Sequence, residues 1–178
     1  MKLFAKVFLA LVLLPAGIFS AQLIEEETAL KDAFPEGYKT SAVKVTVEHK
    51  KDINSRLGDS AFSDLKKESE YKFYKGKEGT AILEHHAGKW GEIEVLVLID
   101  TEGKVKNVVV LASSEKRGRP IVMRTFLNQF TGKVLKDKME IGKAINAVTG
   151  ATISSKAVCL MVKRALEVYE LSAVADKK

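Results

Sequence analysis

A hydroxyl-bearing run close to the C-terminus carries the clearest chemical signal in this chain. Residues 149–155 read Thr-Gly-Ala-Thr-Ile-Ser-Ser and precede an apolar helical pattern. Gly150 permits a tight turn or a positive φ, Ala151 adds little bulk, and Thr152 falls at or near the first free amides of the helix that follows. Those donors and the helix dipole favour an anion, so the spacing indicates a phosphate site at the Thr152 hydroxyl.

The same residues also fit an ordinary helix start. Ser and Thr are preferred N-cap residues, so a cap at Thr152 or Ser154 would explain the pattern without any ligand. Ser154 and Ser155 lack the Gly-x-Ser-x-Gly elbow of a hydrolase nucleophile, and we expect both to cap the helix. The local sequence leaves the cap and the phosphate site open.

A longer segment around this run resembles a known flavin-attachment sequence. Residues 142–158 resemble the flavinylation segment of the FMN-binding domain family, which includes the C subunit of the sodium-translocating NADH:quinone oxidoreductase and the G subunit of the Rnf electron-transport complex. The likeness extends upstream through residues 91–132, notably 115–121 and 126–133. It covers roughly the C-terminal half of the chain and is specific enough to indicate the family.

The resemblance implies a particular chemistry for Thr152. In this family FMN is joined by a phosphoester to the last residue of an Asp-x-x-[Ser/Thr]-Gly-Ala-[Thr/Ser] pattern, which here is Thr152. A separate FAD:protein FMN transferase that uses magnesium splits FAD and moves FMN onto the hydroxyl. The resemblance thus implies an electron carrier or oxidoreductase subunit with redox partner proteins, in or near a membrane electron-transport complex. Asn146 stands where the motif has its usual Asp, so that negative charge is absent.

The resemblance also suggests which residues contact the flavin. Besides Thr152, the expected cofactor-binding residues belong to the motif and to an upstream loop: Thr149, Gly150, Ala151, Ser154, Ser155, Glu115, Arg117, Gly118 and Arg119. Arginines in a loop with Gly and Pro can bind phosphate or a reduced anionic flavin, and a solvated basic loop is the equal alternative. We expect Phe126 and Phe130 to pack in the core, and no residue to serve as a catalytic acid or base.

The first 21 residues have the pattern of a secretory signal. Lys2 and Lys6 precede an apolar stretch at 7–14, and small residues follow up to Ala21. The pattern predicts a signal peptide at 1–21, cleaved or kept as an anchor, and one domain at 22–178 in which the family resemblance is strongest at 91–170. We therefore expect an exported protein, in the periplasm or at the outer face of the cytoplasmic membrane.

Composition narrows the classes of partner and cofactor. A chain of 178 residues can bury one sizeable core, and its net charge of +6 suits anionic cofactors or acidic partners. It has no basic run interleaved with aromatics and no nucleic-acid motif, so we expect no nucleic-acid partner. The single cysteine, Cys159, excludes an intramolecular disulfide, and its apolar neighbours predict a buried thiol. His85 and His86 should point to opposite faces of a strand, so we expect no shared metal.

Hydropathy patterns predict an α+β domain, an antiparallel sheet with helices packed on it. Helices are expected at 23–34, 60–67, 121–130 and 154–171, and strands at 42–48, 71–74, 80–84, 92–99 and 104–111. The turn at 100–103 is a strong hairpin signal. Trp90, at the entrance to the 92–99 strand, could cover a cofactor or cap the sheet, and we expect it to pack against the sheet.

Two other functions remain open from the sequence. The first is a non-covalent FMN-binding module or a flavin reductase acting on a small substrate. The second is a periplasmic binding or assembly domain without flavin, which Asn146 keeps open.

Overall fold

A computed structural model describes residues 21–58, 61–114 and 119–175. The predicted signal at 1–21 lies outside these residues except for Ala21, so it stays a prediction. Over the described ranges, no helix combines the length and the apolar character needed to cross a bilayer.

The described chain forms six strands and four α-helices. The strands are β1 (Ala21–Gln22), β2 (Tyr38–Val45), β3 (Ser69–Gly76), β4 (Gly79–Ala87), β5 (Glu92–Ile99) and β6 (Val105–Ser113). The α-helices are α1 (Glu26–Ala33), α2 (Val47–Leu57), α3 (Arg124–Leu127) and α4 (Thr152–Ala175), and short 3-10 helices at Arg119–Val122 and Asn128–Phe130 flank α3. The predicted α+β class is confirmed.

All neighbouring strands pair antiparallel, in the order β1-β6-β5-β4-β3-β2. The predicted hairpin at 100–103 joins β5 to β6. The Asp100 carboxylate accepts hydrogen bonds from the amides of Glu102 and Lys104, both at 2.9 Å, and Gly103 has a φ of 80°. The positive φ suits glycine, which explains why the local sequence predicts this turn well.

The sheet is covered on both faces, and β5 shows this most clearly. Val95, Val97 and Ile99 belong to the larger core cluster with α2 and α4, whereas Leu96 and Leu98 pack with α1 residues on the opposite face. All five side chains are buried. A strand buried on both sides reads as a continuous apolar run, and helix α4 lies along the larger core.

Two predictions for the N-terminal half differ from the structure. The strand expected at 42–48 is present only as far as Val45, since Thr46 is the N-cap of α2: its hydroxyl accepts from the His49 amide at 3.2 Å, and its own amide donates to His49 Nδ1 at 3.4 Å. This capping box starts a helix that was not predicted from the sequence.

The helix expected at 60–67 is absent over residues 61–67. Side chains of α2 bind the backbone of this segment instead. Asn54 exchanges two hydrogen bonds with the Phe62 backbone at 2.9 and 3.0 Å, and the buried Lys50 ammonium donates to the Asp64 and Lys67 carbonyls. Because α2 satisfies these groups, the segment is ordered without helical hydrogen bonds of its own.

The helix expected at 121–130 is broken into three short pieces. Met123 has an extended backbone, with φ −65° and ψ 132°, and separates the first 3-10 turn from α3. Phe126 and Phe130 nevertheless pack edge to face, with ring centroids 5.5 Å apart, and both are buried. Their predicted core role is confirmed. The helix expected at 154–171 is α4, which begins two residues earlier, at Thr152.

Candidate functional site

The approach to helix α4 is a tight turn centred on Thr149 and Gly150. The Ala151 amide donates to the Val148 carbonyl at 3.0 Å, and Gly150 has a φ of 78°. A positive φ at the third residue of a four-residue turn is the mark of a type II turn. Thr149 and Gly150 are exposed and Ala151 is buried, so the turn projects outward while its last residue is fixed in the core.

Ser155 ties this turn to the helix. Its amide donates to the Ala151 carbonyl at 2.8 Å and its hydroxyl donates to the same oxygen at 2.9 Å. The hydroxyl also accepts from the Val148 amide at 3.1 Å. Ser155 therefore does not cap the helix as predicted: its hydroxyl satisfies a loop amide and a helix carbonyl, and it is fully buried.

Helix α4 begins without a side-chain cap. The bond from the Ser155 amide to the Ala151 carbonyl is the first of the helix, which makes Ala151 the residue at the N-cap position. Alanine has no side-chain oxygen, so the amides of Thr152, Ile153 and Ser154 have no acceptor within the helix or from a cap. These three N–H groups thus lie without acceptors at the positively polarised end of a 24-residue helix.

Thr152 and Ser154 differ in exposure within this first turn. Thr152 is exposed, so its hydroxyl is accessible to a modifying enzyme. Ser154 is fully buried, and its hydroxyl has no hydrogen-bond partner within the described part of the chain. The predicted capping role of Ser154 is therefore wrong. A buried hydroxyl without a partner, beside free helix amides, is an observation that fits a missing anionic group.

A cavity of about 470 Å³ lies beside this helix start. Helix α4 contributes Ile153, Lys156, Ala157, Cys159, Leu160 and Lys163, and the facing wall consists of His86, Ala87, Met139, Glu140 and Ile141. The volume falls in the range of about 300–1,000 Å³ that is usual for small-molecule sites. Burial lowers the pKa of His86, and Glu140 forms an ion pair with Lys143 at 2.6 Å. The cavity thus combines an apolar floor with the ammonium groups of Lys156 and Lys163.

Asn146, at the position where the motif usually has Asp, lies on the surface. Its backbone pairs with the Gln129 side chain: the Asn146 amide donates to Oε1 at 2.8 Å, and Nε2 donates to the Asn146 carbonyl at 3.2 Å. These bonds attach the start of the motif to the segment that carries Phe126 and Phe130. They involve only backbone atoms of Asn146, so an Asp could make them equally well.

Most of the upstream loop lies outside the described residues. Glu115, Arg117 and Gly118 fall there, and Arg119 is described only as the first residue of the Arg119–Val122 turn, without its side chain. Ser114, the last described residue before this loop, follows β6, and its amide donates to the Glu92 carbonyl at the start of β5 at 3.1 Å. The roles of these four residues stay predictions.

Three other expectations concern Cys159, the two adjacent histidines and Trp90. Cys159 is buried, its thiol donates to the Met139 carbonyl at 3.1 Å, and burial raises its pKa to about 11, which confirms a structural thiol. His86 lines the cavity beside α4, whereas His85 is exposed. Within the described ranges, no group of three His, Cys, Asp or Glu side chains could hold a metal. Trp90 is 48% exposed, and its predicted packing role stays a prediction.

The cavity beside α4 was not predicted from the sequence. Its helical wall could have been found from spacing, since Ile153, Lys156, Leu160 and Lys163 recur at three- and four-residue intervals on one helix face. The facing residues 139–141 carry no local signal, because only the tertiary fold brings them there.

Comparison with known proteins supports the resemblance. Residues 88–167 match the family model described as FMN-binding domain. The chain is 33% identical over 93 residues to the G subunit of the Na(+)-translocating ferredoxin:NAD(+) oxidoreductase complex of Acetobacterium woodii (47% of this chain, 45% of the relative). It is 40% identical over 88 residues to the G subunit of the proton-translocating ferredoxin:NAD(+) oxidoreductase complex of Clostridium ljungdahlii (45% of this chain, 47% of the relative).

The chain thus spans less than half the length of either relative. The matched region contains the turn, Thr152 and most of helix α4. It also contains the segment that carries the sequence resemblance. Residues 88–167 are therefore similar to the FMN-binding domain family.

Proposed function

We propose that this chain is an exported flavoprotein that carries FMN on Thr152 through a phosphoester and relays electrons between redox partners. The family match supports FMN as the cofactor. The names of the two relatives, both subunits of ferredoxin:NAD(+) oxidoreductase complexes, support electron transfer within a membrane complex. The signal-like pattern of the first 21 residues supports an extracytoplasmic position.

The observation that carries the proposal is the geometry around Thr152. Thr152 is exposed, it follows a turn that projects from the surface, and it is the first residue of an uncapped helix. A phosphate bound to its hydroxyl oxygen would lie within reach of the first-turn amides.

The attachment is a phosphoryl-group transfer in which Thr152 is the acceptor. The Thr152 oxygen attacks the FMN-side phosphorus of FAD, and the bond between that phosphorus and the bridging oxygen of the pyrophosphate breaks. AMP leaves, and the hydroxyl proton passes to a base of the transferase, whose magnesium ion neutralises the phosphates. The chain itself needs no catalytic residue. Its role is to present one hydroxyl, held in place by the bonds of Ser155 to Ala151 and Val148.

The cavity beside α4 can take the flavin ring. FMN, when bound, supplies reversible one- and two-electron redox chemistry. Ile153 and Leu160 offer an apolar wall, and Lys156 and Lys163 place positive charge where it would stabilise a ring that has gained negative charge. Ile153 is 54% exposed and lines this cavity, so a tethered ring would cover it.

The test is co-expression of the chain with an FMN transferase, followed by denaturing electrophoresis with detection of flavin fluorescence. We expect a fluorescent band for the natural chain and for Thr152→Ser, and none for Thr152→Val, which has the same shape without the hydroxyl. Yellow protein that loses its colour on denaturation would indicate non-covalent flavin instead.

The effect of Asn146 on flavin attachment is tested separately in this experiment. The natural chain should be modified without any change at this position, because only the backbone of Asn146 takes part in the described contacts. If Asn146→Asp is modified and the natural chain is not, the missing carboxylate prevents flavinylation and the proposal fails for this protein.

A further inference from the structure

Three of the five exposed large apolar side chains in the described chain lie at one end of the sheet. A row of paired residues crosses the sheet there, from Ala21 to Ser113, Ile93 and His86. The loop at 88–91, which carries Trp90 at its tip, extends just beyond this row. Helix α4 begins at the same end, since its first turn shares a cavity with His86 and Ala87.

The large apolar side chains exposed in the described chain are not evenly spread. Leu23 follows β1 on the edge of this end, Trp90 lies at its tip, and Ile153 lies at the start of α4, with exposures of 50%, 48% and 54%. Two others lie elsewhere: Tyr38 is at the opposite end beside the β3–β4 turn, and Met123 is in the segment packed along β6. Single exposed apolar residues are ordinary, but a group of three at one end points to a surface in contact with something.

The loop at 88–91 is built to hold Trp90 outward. The Gly88 amide donates to the Gly91 carbonyl at 2.7 Å, and Gly91 has a φ of 151°. The Lys89 ammonium lies 5.1 Å from the centre of the indole ring. An indole with an adjacent ammonium is suited to the interface of a bilayer, where the ring lies at headgroup depth and the cation meets lipid phosphates.

The N-terminal segment enters at this same end. Ala21 begins β1, and the apolar stretch at 7–14 ends seven residues before it. Seven residues span at most about 25 Å, so where the segment at 1–21 is kept as an anchor, the bilayer that holds the apolar stretch lies close to the row that contains Ala21. Nothing comparable leads toward the opposite end of the described chain, where the β3–β4 turn carries the exposed Lys77.

We propose that this end faces a phospholipid bilayer, with Trp90 in the interfacial layer and Lys89 at the lipid phosphates. Glu92 is the exposed carboxylate of the same hairpin and limits the net positive charge. The contact therefore depends more on the indole than on charge. It does not require flavin on Thr152, so it can fail or succeed independently of the proposed function.

The test uses Trp90 as its own reporter, because it is the only tryptophan in the chain. The full chain carrying Thr152→Val, which has no flavin to absorb the emission, is reconstituted with phosphatidylcholine–phosphatidylglycerol vesicles. We expect the emission of Trp90 to shift to shorter wavelength and to be quenched by lipids brominated on the acyl chains near the headgroup.

The matched control moves the reporter to the other end of the sheet. Trp90→Phe combined with Lys77→Trp, and separately with Tyr38→Trp, should give emission that vesicles do not shift and brominated lipids do not quench. Two far-end reporters are used so that the control still stands if one variant misfolds, and far-ultraviolet circular dichroism checks the fold of both. The proposal is overturned if the Trp90 signal is the same with and without vesicles, or if the far-end reporters are quenched equally. A Trp90 shift that needs a membrane protein in the vesicles would also overturn it, in favour of a protein contact.

Discussion

The Ser155 hydroxyl accepts a hydrogen bond from the Val148 amide at 3.1 Å, across the turn that presents Thr152. The same hydroxyl donates to the Ala151 carbonyl at 2.9 Å. One buried side chain thus fixes both the loop before the helix and the first helical turn. The accessible hydroxyl of Thr152 lies between these two fixed points.

Loss of the Ser155 hydroxyl should destabilise the fold. Ser155→Ala leaves the Val148 amide without its acceptor, and an amide left unsatisfied costs about 1–3 kcal/mol. The neighbouring change Ser154→Ala is the control, since the buried Ser154 hydroxyl has no partner to lose in the described part of the flavin-free chain. Urea unfolding of the two flavin-free variants measures the difference. An equal loss in both would show that the Ser155 bonds contribute nothing specific.

The backbone conformation of Gly150, and not contact with neighbouring atoms, should decide which substitutions this position tolerates. No atom of the described chain lies within 4 Å of a Cβ built at this position, but φ is 78°. An L residue in this region costs roughly 1–2 kcal/mol, and Asn less than Ala. We expect Gly150→Ala to lower the free energy of unfolding by about that amount and Gly150→Asn by less. Denaturant titration ranks the two, and the reverse order would contradict the turn described here.

The buried pair of Glu84 and Arg164 should be a strong determinant of stability. The Arg164 guanidinium donates to the Glu84 carboxylate, to the Ala61 carbonyl at 2.6 Å and to the His85 carbonyl at 2.8 Å. Arg164→Met leaves a buried carboxylate unpaired, and the expected loss is about 3–5 kcal/mol. The double variant with Glu84→Leu should recover part of it, because no charge is then buried.

The cost of Arg164→Met should depend on pH. Burial raises the pKa of Glu84 to about 7, and Arg164 opposes this rise. Without Arg164 the pKa should lie higher still, so the folded state retains a proton that the unfolded state loses. Stability from such a group is present at low pH and lost as pH rises through the folded pKa. The loss of unfolding free energy in Arg164→Met, relative to the natural chain, should thus grow from pH 5 to pH 8. A loss that is the same at both pH values would contradict this prediction.

Cys159 should be unreactive in the folded protein. Burial raises its pKa to about 11, and the thiolate is the reactive form. Alkylation by iodoacetamide at pH 8, followed by mass spectrometry, should be slow in buffer and fast in denaturant, with no background from other thiols since the chain has one cysteine. Equal rates in the two conditions would show that the thiol is accessible.

The same pKa predicts how Cys159 affects stability in alkali. The folded thiol keeps its proton up to about pH 11, whereas the unfolded thiol loses it near pH 9. Stability contributed by Cys159 is thus present below pH 9 and falls between about pH 9 and 11. The difference in unfolding free energy between the natural chain and Cys159→Ala should shrink over this interval, and other titrating groups cancel in the comparison.

Strong local signals account for the elements that the sequence predicted well. The hairpin at 100–103 and helix α4 each depend on residues adjacent in sequence: turn residues with a glycine in one case, a long apolar periodicity in the other. Helix α2 was missed because the alternation of Val43, Val45 and Val47 continues past Thr46, which in fact caps a helix. The segment 61–67 was misassigned since its hydrogen-bond partners, Asn54 and Lys50, lie on that unpredicted helix.

The candidate site also has some features that the local sequence predicts and others that depend on the tertiary fold. Thr152 and the Gly150 turn were predictable, because a glycine with positive φ and a helix start are local features. The contact of Ser155 with Val148, the unpartnered hydroxyl of Ser154 and the cavity wall at 139–141 required the described fold, since each depends on how the loop returns to the helix. Exposure of Trp90 was likewise a tertiary outcome, because the loop at 88–91 extends beyond the strands it joins.

The most direct measurement is the intact mass of the chain purified after co-expression with an FMN transferase. We predict an increase equal to FMN less one water, located on Thr152 by fragmentation and absent from Thr152→Ala. An unmodified mass, or the same increase in Thr152→Ala, would contradict covalent attachment at this residue.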